Sequence, residues 1–141
     1  MQSFKIRNNI VYYDETKRTI ARIPTSSNLK KTGSDNSLYF GTTANETTKD
    51  ILRKIVGTKN FNDINGLNLE MFGYGAPVDV TLNINNQGQI QIKINHNGMM
   101  RKLFDKFQLT IKEIIPEDQV LIVIDFRNLE IRFKKLSDLD L

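Results

Sequence analysis

The chain has 141 residues, 39% hydrophobic and 26% charged, which is room for one domain or two very small ones around a modest core. It has no cysteine, which excludes disulfides, thiol catalysis and cysteine-bound zinc, and no apolar run near the roughly 18 residues of a membrane-spanning helix. The 20 basic and 16 acidic residues give a net charge of +4 and are unevenly spread: residues 1–65 hold 11 basic and 6 acidic residues, residues 66–141 hold 9 and 10.

The N-terminal stretch MQSFKIRNNIVYY has neither the apolar core of a signal peptide nor the Arg-rich pattern of a presequence, so an organellar location predicts synthesis inside the organelle. Residues 4–12 and 18–23 read as two arms of a hairpin around the polar turn Asp14-Glu15-Thr16-Lys17, with Pro24 ending the second arm. Residues 25–37, rich in Ser, Thr, Asn and Gly, read as a loop whose Lys30-Lys31 pair has solvation as its plain explanation. Leu38-Tyr39-Phe40 is a short strand or lead-in.

A helix is predicted over about 43–57. Thr43 with Glu46 has capping-box spacing, and Thr47 with Asp50 repeats it. Ile51, Leu52, Ile55 and Val56 make one apolar face, Lys49, Arg53 and Lys54 lie mostly off it, and Gly57 suits the C-cap. Residues 58–66 form a polar linker. The period then changes from 3.6 to 2. Leu67, Leu69 and Met71 alternate with polar residues, as do Val78, Val80, Leu82 and Ile84, and Ile90, Ile92 and Ile94. The last two arms, joined by the turn Asn85 to Gln89, predict an antiparallel hairpin covered on one face. Residues 98–115 fit either helix or strand. Pro116-Glu117-Asp118 is a turn, and residues 120–126 are a buried strand. The tail is open: Leu129, Ile131 and Phe133 alternate as a strand, while Leu129, Phe133 and Leu136 make a helical stripe.

The order of elements, strands then helix and again strands then helix, predicts an α+β fold of two tandem similar lobes, residues 1–65 and 66–141, each a small antiparallel sheet closed by a helix. No catalytic set is visible. His96, the single histidine, has no cysteine or carboxylate cluster for a metal site and no nucleophile or orienting acid for a triad. The paired carboxylates, such as Asp14-Glu15 and Glu117-Asp118, sit in turns. Gly73-Tyr74-Gly75 lacks the third glycine of a dinucleotide fingerprint, and Gly41-Thr42-Thr43 lacks the lysine of a phosphate loop. Both offer bare backbone at a bend, and a helix start presents unpaired N–H groups to which a phosphate can bind. The expectation is therefore a non-enzyme with no cofactor, no metal, no membrane and no small-molecule substrate.

The stretch from Leu38 to Val78 resembles large-subunit ribosomal protein six, the universal uL-six family. In that family Gly-Thr-Thr opens the helix that closes the first lobe, and a Leu-Glu-x-x-Gly-x-Gly strand opens the second. Gly41-Thr42-Thr43 and Leu69-Glu70-Met71-Phe72-Gly73-Tyr74-Gly75 match these in the same order, with Lys59-Asn60-Phe61 similar to the segment between them. QGQIQIKINHNG is similar to a family hairpin ending near a Ser-His, and VLIVIDF followed by RNLEIRFKKL to the last strand and helix. The chain departs from the pattern at Ala44, where the family has arginine, at Ala76-Pro77, where it has Tyr and a basic residue, and at LSDLDL, where it has a basic tail.

The resemblance implies a structural constituent of the large ribosomal subunit, with large-subunit rRNA and neighbouring ribosomal proteins as partners. The Asn/Ile/Lys-rich composition suits an organelle-encoded form, which implies a mitochondrial matrix ribosome; the alternative location is cytoplasmic. The residues it implies for rRNA contact are Gly41, Thr42 and Thr43 at the helix start, Lys59 in the linker, Gly73 and Gly75 at the second bend, and His96, Asn97, Gly98 and Arg101 at the hairpin end. It also implies a strand over 107–113 and a helix over about 127–137. The rival expectation is a small viral or mobile-element protein that binds a host protein or nucleic acid.

Overall fold

Strands form where apolar and polar residues alternate, as over Leu67–Met71, Val78–Ile84 and Ile90–Ile94, and where a short continuous apolar run is buried on both faces, as at residues 121–124. The computed structural model describes residues 2–6, 9–23, 37–40, 45–72, 77–94 and 120–138. The strands are β1 (Gln2–Ile6), β2 (Asn9–Asp14), β3 (Thr19–Arg22), β4 (Ser37–Phe40), β5 (Leu67–Met71), β6 (Val78–Ile84), β7 (Ile90–Ile94), β8 (Val120–Asp125) and β9 (Glu130–Lys135). The helix is α1 (Glu46–Val56), and short 3-10 turns occupy Phe61–Ile64 and Leu136–Asp138. All nine strands belong to one sheet, in the order β1-β2-β3-β8-β9-β5-β6-β7-β4.

The α+β class stands. The arrangement as two tandem lobes is not shown, because strands from the two halves of the sequence are interleaved. β3 pairs antiparallel with β8, matching Ala21 to Val123, and β4 pairs antiparallel with β7, matching Leu38 to Ile92. The sheet has two antiparallel arms, β1-β2-β3-β8-β9 and β5-β6-β7-β4. They meet at the parallel β5–β9 pairing, where Glu70 lies beside Glu130 and Met71 beside Ile131.

The expected terminal helix over about 127–137 is instead a turn followed by β9. Asp125 accepts the backbone N–H of Arg127 and of Asn128, both at 2.9 Å, and so tightens a turn rather than capping a helix. Leu129 has φ 56°, is 42% exposed, and its carbonyl accepts the Glu70 N–H at 3.1 Å. Ile131 and Phe133 then alternate into the core opposite Ile124 and Ile122. The first hairpin also differs. Residues 4–12 are not one arm: Ile6 pairs with Asn9, so β1 folds back on β2 before β2 pairs with β3.

The face shared by both arms is apolar. Tyr13, Ile20, Ile124, Ile131, Met71, Leu82 and Ile92 are all buried there, with Leu52, Ile55 and Val56 of α1, in a single cluster. The helix is about 16 Å long against a sheet about 38 Å across, so it covers only part of this face. Arg22 ends β3 on the same side, between Val11 and Ile122, and burial pushes its guanidinium below its ordinary pKa. On the opposite face a smaller buried group, Ala21, Leu121 and Val123, lies over β3 and β8. Tyr12 and Ile23 pack against it, and further along that face Asn68, Glu70, Asp79 and Lys93 are exposed.

Candidate nucleic-acid interface

The best-defined meeting of charged side chains is a corner organised by Arg18. This residue sits in the β2–β3 turn with φ 52°. Its guanidinium donates to the carbonyls of Ile55 and Val56, at 3.0 Å from Nε and 2.6 Å from Nη2. These are carbonyls that the last turn of a helix leaves without intrahelical partners, and a cation there also meets the negative end of the helix dipole. The Arg18 carbonyl in turn accepts the Phe126 N–H at 3.0 Å. One residue thus ties together the β2–β3 turn, the end of α1 and the β8–β9 turn.

The helix end fits this arrangement. Gly57 takes φ 84° and its N–H, like that of Thr58, reaches the Arg53 carbonyl, at 2.8 and 3.2 Å. The expected C-cap is therefore present. The N-cap differs from the expected Thr43 box: Asn45 accepts the Thr48 N–H at 2.9 Å, and α1 begins at Glu46. Residues 58–66 are less of a plain linker than their polarity implies. The turn Phe61–Ile64 buries Phe61 to 3% exposure, and the Arg53 guanidinium lies 5.4 Å from the centre of that ring.

Four bases project from this corner: Lys17 beside Arg18, Lys54 at the helix end, Lys59 after it, and Arg127 beside Phe126, all exposed. None has an ion pair among the described residues. The carboxylates on α1 are taken up elsewhere, Glu46 by Lys49 at 3.5 Å and Asp50 by Arg53 at 2.7 Å. Asp14 and Asp125 are turned back onto backbone N–H groups of their own turns, although their charges remain. The corner is thus mixed in charge, with its unpaired bases exposed among the described residues.

Lys59 is the one expected contact residue within the described residues. Gly41, Thr42, Thr43, Gly73, Gly75, His96, Asn97, Gly98 and Arg101 lie outside them, as does the expected strand over 107–113. Nothing in the sequence marks Lys17, Arg18, Lys54 and Arg127 as contact residues. A turn lysine and a helix-end lysine look like ordinary solvated charges until the turn and the helix end are seen together.

The outer face of the sheet has the opposite character at its seam. Glu130, Glu70 and Asp79 stand side by side on β9, β5 and β6. Arg132 partly offsets them, donating to Glu130 at 3.1 Å while its guanidinium lies 4.2 Å from the centre of the Phe72 ring. No group of three or more His, Cys, Asp or Glu placed to hold a metal ion occurs among the described residues. None of the protein-family models, curated proteins or solved structures compared with this chain matches it.

Proposed function

We propose that this chain is a structural constituent of the large ribosomal subunit that binds large-subunit rRNA, in a mitochondrial ribosome. The observation that supports it best is the Arg18 corner, where Lys17, Lys54, Lys59 and Arg127 present unpaired charge from three connections tied together. Such an array suits a phosphate backbone followed by shape, with no base-specific chemistry needed. The motif order from Gly41 to Gly75 gives the family resemblance, and two of the corner's bases, Lys54 and Lys59, lie between the two motifs in sequence. The carboxylate row repels phosphate, so the outer seam faces away from RNA in this proposal.

The test is to recover the tagged chain from native extract and sequence the RNA bound to it. Enrichment of large-subunit over small-subunit rRNA is expected. Recovery of a host protein with no rRNA would overturn the proposal in favour of the viral or mobile-element reading.

A further inference from the structure

The β6–β7 turn and the 3-10 turn Phe61–Ile64 border a shallow cleft of about 330 Å³, at the small end of ligand-sized clefts. Its walls are nearly all carboxamide, including Asn62, Asn65, Asn83, Asn85, Gln89 and Gln91, with no ionisable side chain among its lining residues.

The hydrogen bonds settle which way several of these groups face. A backbone N–H can only donate, so the side-chain atom that meets it is oxygen. The Ile84 N–H meets Oδ1 of Asn65 at 3.1 Å, and the Gly66 N–H meets Oδ1 of Asn83 at 2.6 Å. The N–H groups of Gln87 and Gln89 meet Oδ1 of Asn85 at 3.1 and 2.9 Å. The Asn85 NH2 must then find an acceptor, which is Oε1 of Gln89 at 3.1 Å. With their oxygens engaged, Asn65, Asn83 and Gln89 each have an NH2 group to offer a partner.

We propose that this cleft seats the ribose–phosphate backbone of an RNA strand, with the NH2 groups of Asn65, Asn83 and Gln89 donating to its oxygens. The inference rests on the RNA-binding reading above and adds a second contact site to it. These three NH2 groups meet no acceptor in the hydrogen bonds above, and the phosphate and ribose oxygens of a strand supply acceptors for them. A neutral cleft adds no repulsion for the strand. The site is also continuous with the basic corner, since Asn62 in its wall follows Lys59 by three residues on the same connection.

The test follows the side-chain NH2 and backbone signals of the ¹⁵N-labelled protein while a short oligouridylate is added, with maltohexaose as a parallel arm. The carboxamide signals of Asn65, Asn83 and Gln89 are expected to move with RNA and not with maltohexaose. Asn65→Asp and Asn83→Asp each keep the oxygen that holds the backbone while replacing the donor. Each should weaken RNA binding by about fivefold or more without loss of the folded spectrum. Ser3→Asp, which places the same charge on the far edge strand β1, should weaken it by less than about twofold.

If RNA moves the signals of Lys59 and Arg127 but not the carboxamides, this inference is wrong and the RNA-binding reading stands. If RNA moves nothing, both fall. Carboxamide shifts with maltohexaose alone, or an Asn→Asp loss no larger than that of Ser3→Asp, would also overturn the inference.

Discussion

Arg18 shows how much one side chain can hold in place. Its two bonds to the Ile55 and Val56 carbonyls are charge-assisted and partly buried, so Arg18→Ala should cost about 2 kcal/mol in urea unfolding. Gly57 depends on it sterically. A Cβ at Gly57 would lie 2.6 Å from Nη2 of Arg18, and φ 84° already disfavours any side chain. Gly57→Ala should therefore cost about 1–2 kcal/mol alone, and less in an Arg18→Ala background, where the guanidinium is gone. A double-mutant cycle that came out additive would show that the close approach contributes nothing. This residue was not legible in advance. RTIARI reads as a strand beginning at Arg18, and nothing local announces that Arg18 instead takes a left-handed turn conformation and reaches a helix end 37 residues away.

At the scale of elements, legibility followed how far local periodicity agreed with the packing available. Strands β5, β6 and β7 alternate strictly, and each was placed where it lies because only one face of each could be buried. The apolar stripe of α1 is legible in the sequence, but its start is not, because Asn45, not Thr43, supplies the capping oxygen. Asn45→Ala should cost about 1 kcal/mol. Ile55→Ala, at a fully buried position, should cost about 2–5 kcal/mol, read as a shift in the denaturation midpoint. The tail was ambiguous because Leu129 and Phe133 fit both periods. Antiparallel pairing along the whole of β8, with a shorter parallel pairing to β5, decides for strand. The pairing with β5 has a cost: Glu70 faces Asp79 on one side and Glu130 on the other. Glu70→Gln should stabilise the protein by about 0.2–1 kcal/mol at low salt, and by less as salt screens the repulsion.

Across the whole molecule, the interleaving of strands matters more than the order of motifs. Because β3 depends on β8 and β4 on β7, residues 1–65 expressed alone should show no cooperative unfolding transition. Two tandem lobes would instead leave that half folded, and calorimetry of the fragment distinguishes them. The same interleaving brings the β8–β9 turn to the end of α1, so the charge corner exists only in the folded whole. The sequence carried the uneven charge and Lys59. Most of the expected RNA contacts lie outside the described residues, and the corner's other bases became visible only through the Arg18 bonds. If the corner meets phosphates, Lys54→Ala and Lys59→Ala should each weaken RNA binding severalfold. Each should also reduce the slope of log affinity against log salt by about 1.

The most direct measurement is sedimentation of the native protein through a sucrose gradient at moderate salt, with and without ribonuclease. The account predicts that the chain travels with the large ribosomal subunit and that ribonuclease releases it. A chain that stays at the top of the gradient as free protein, with intact large subunits below it, would contradict the account.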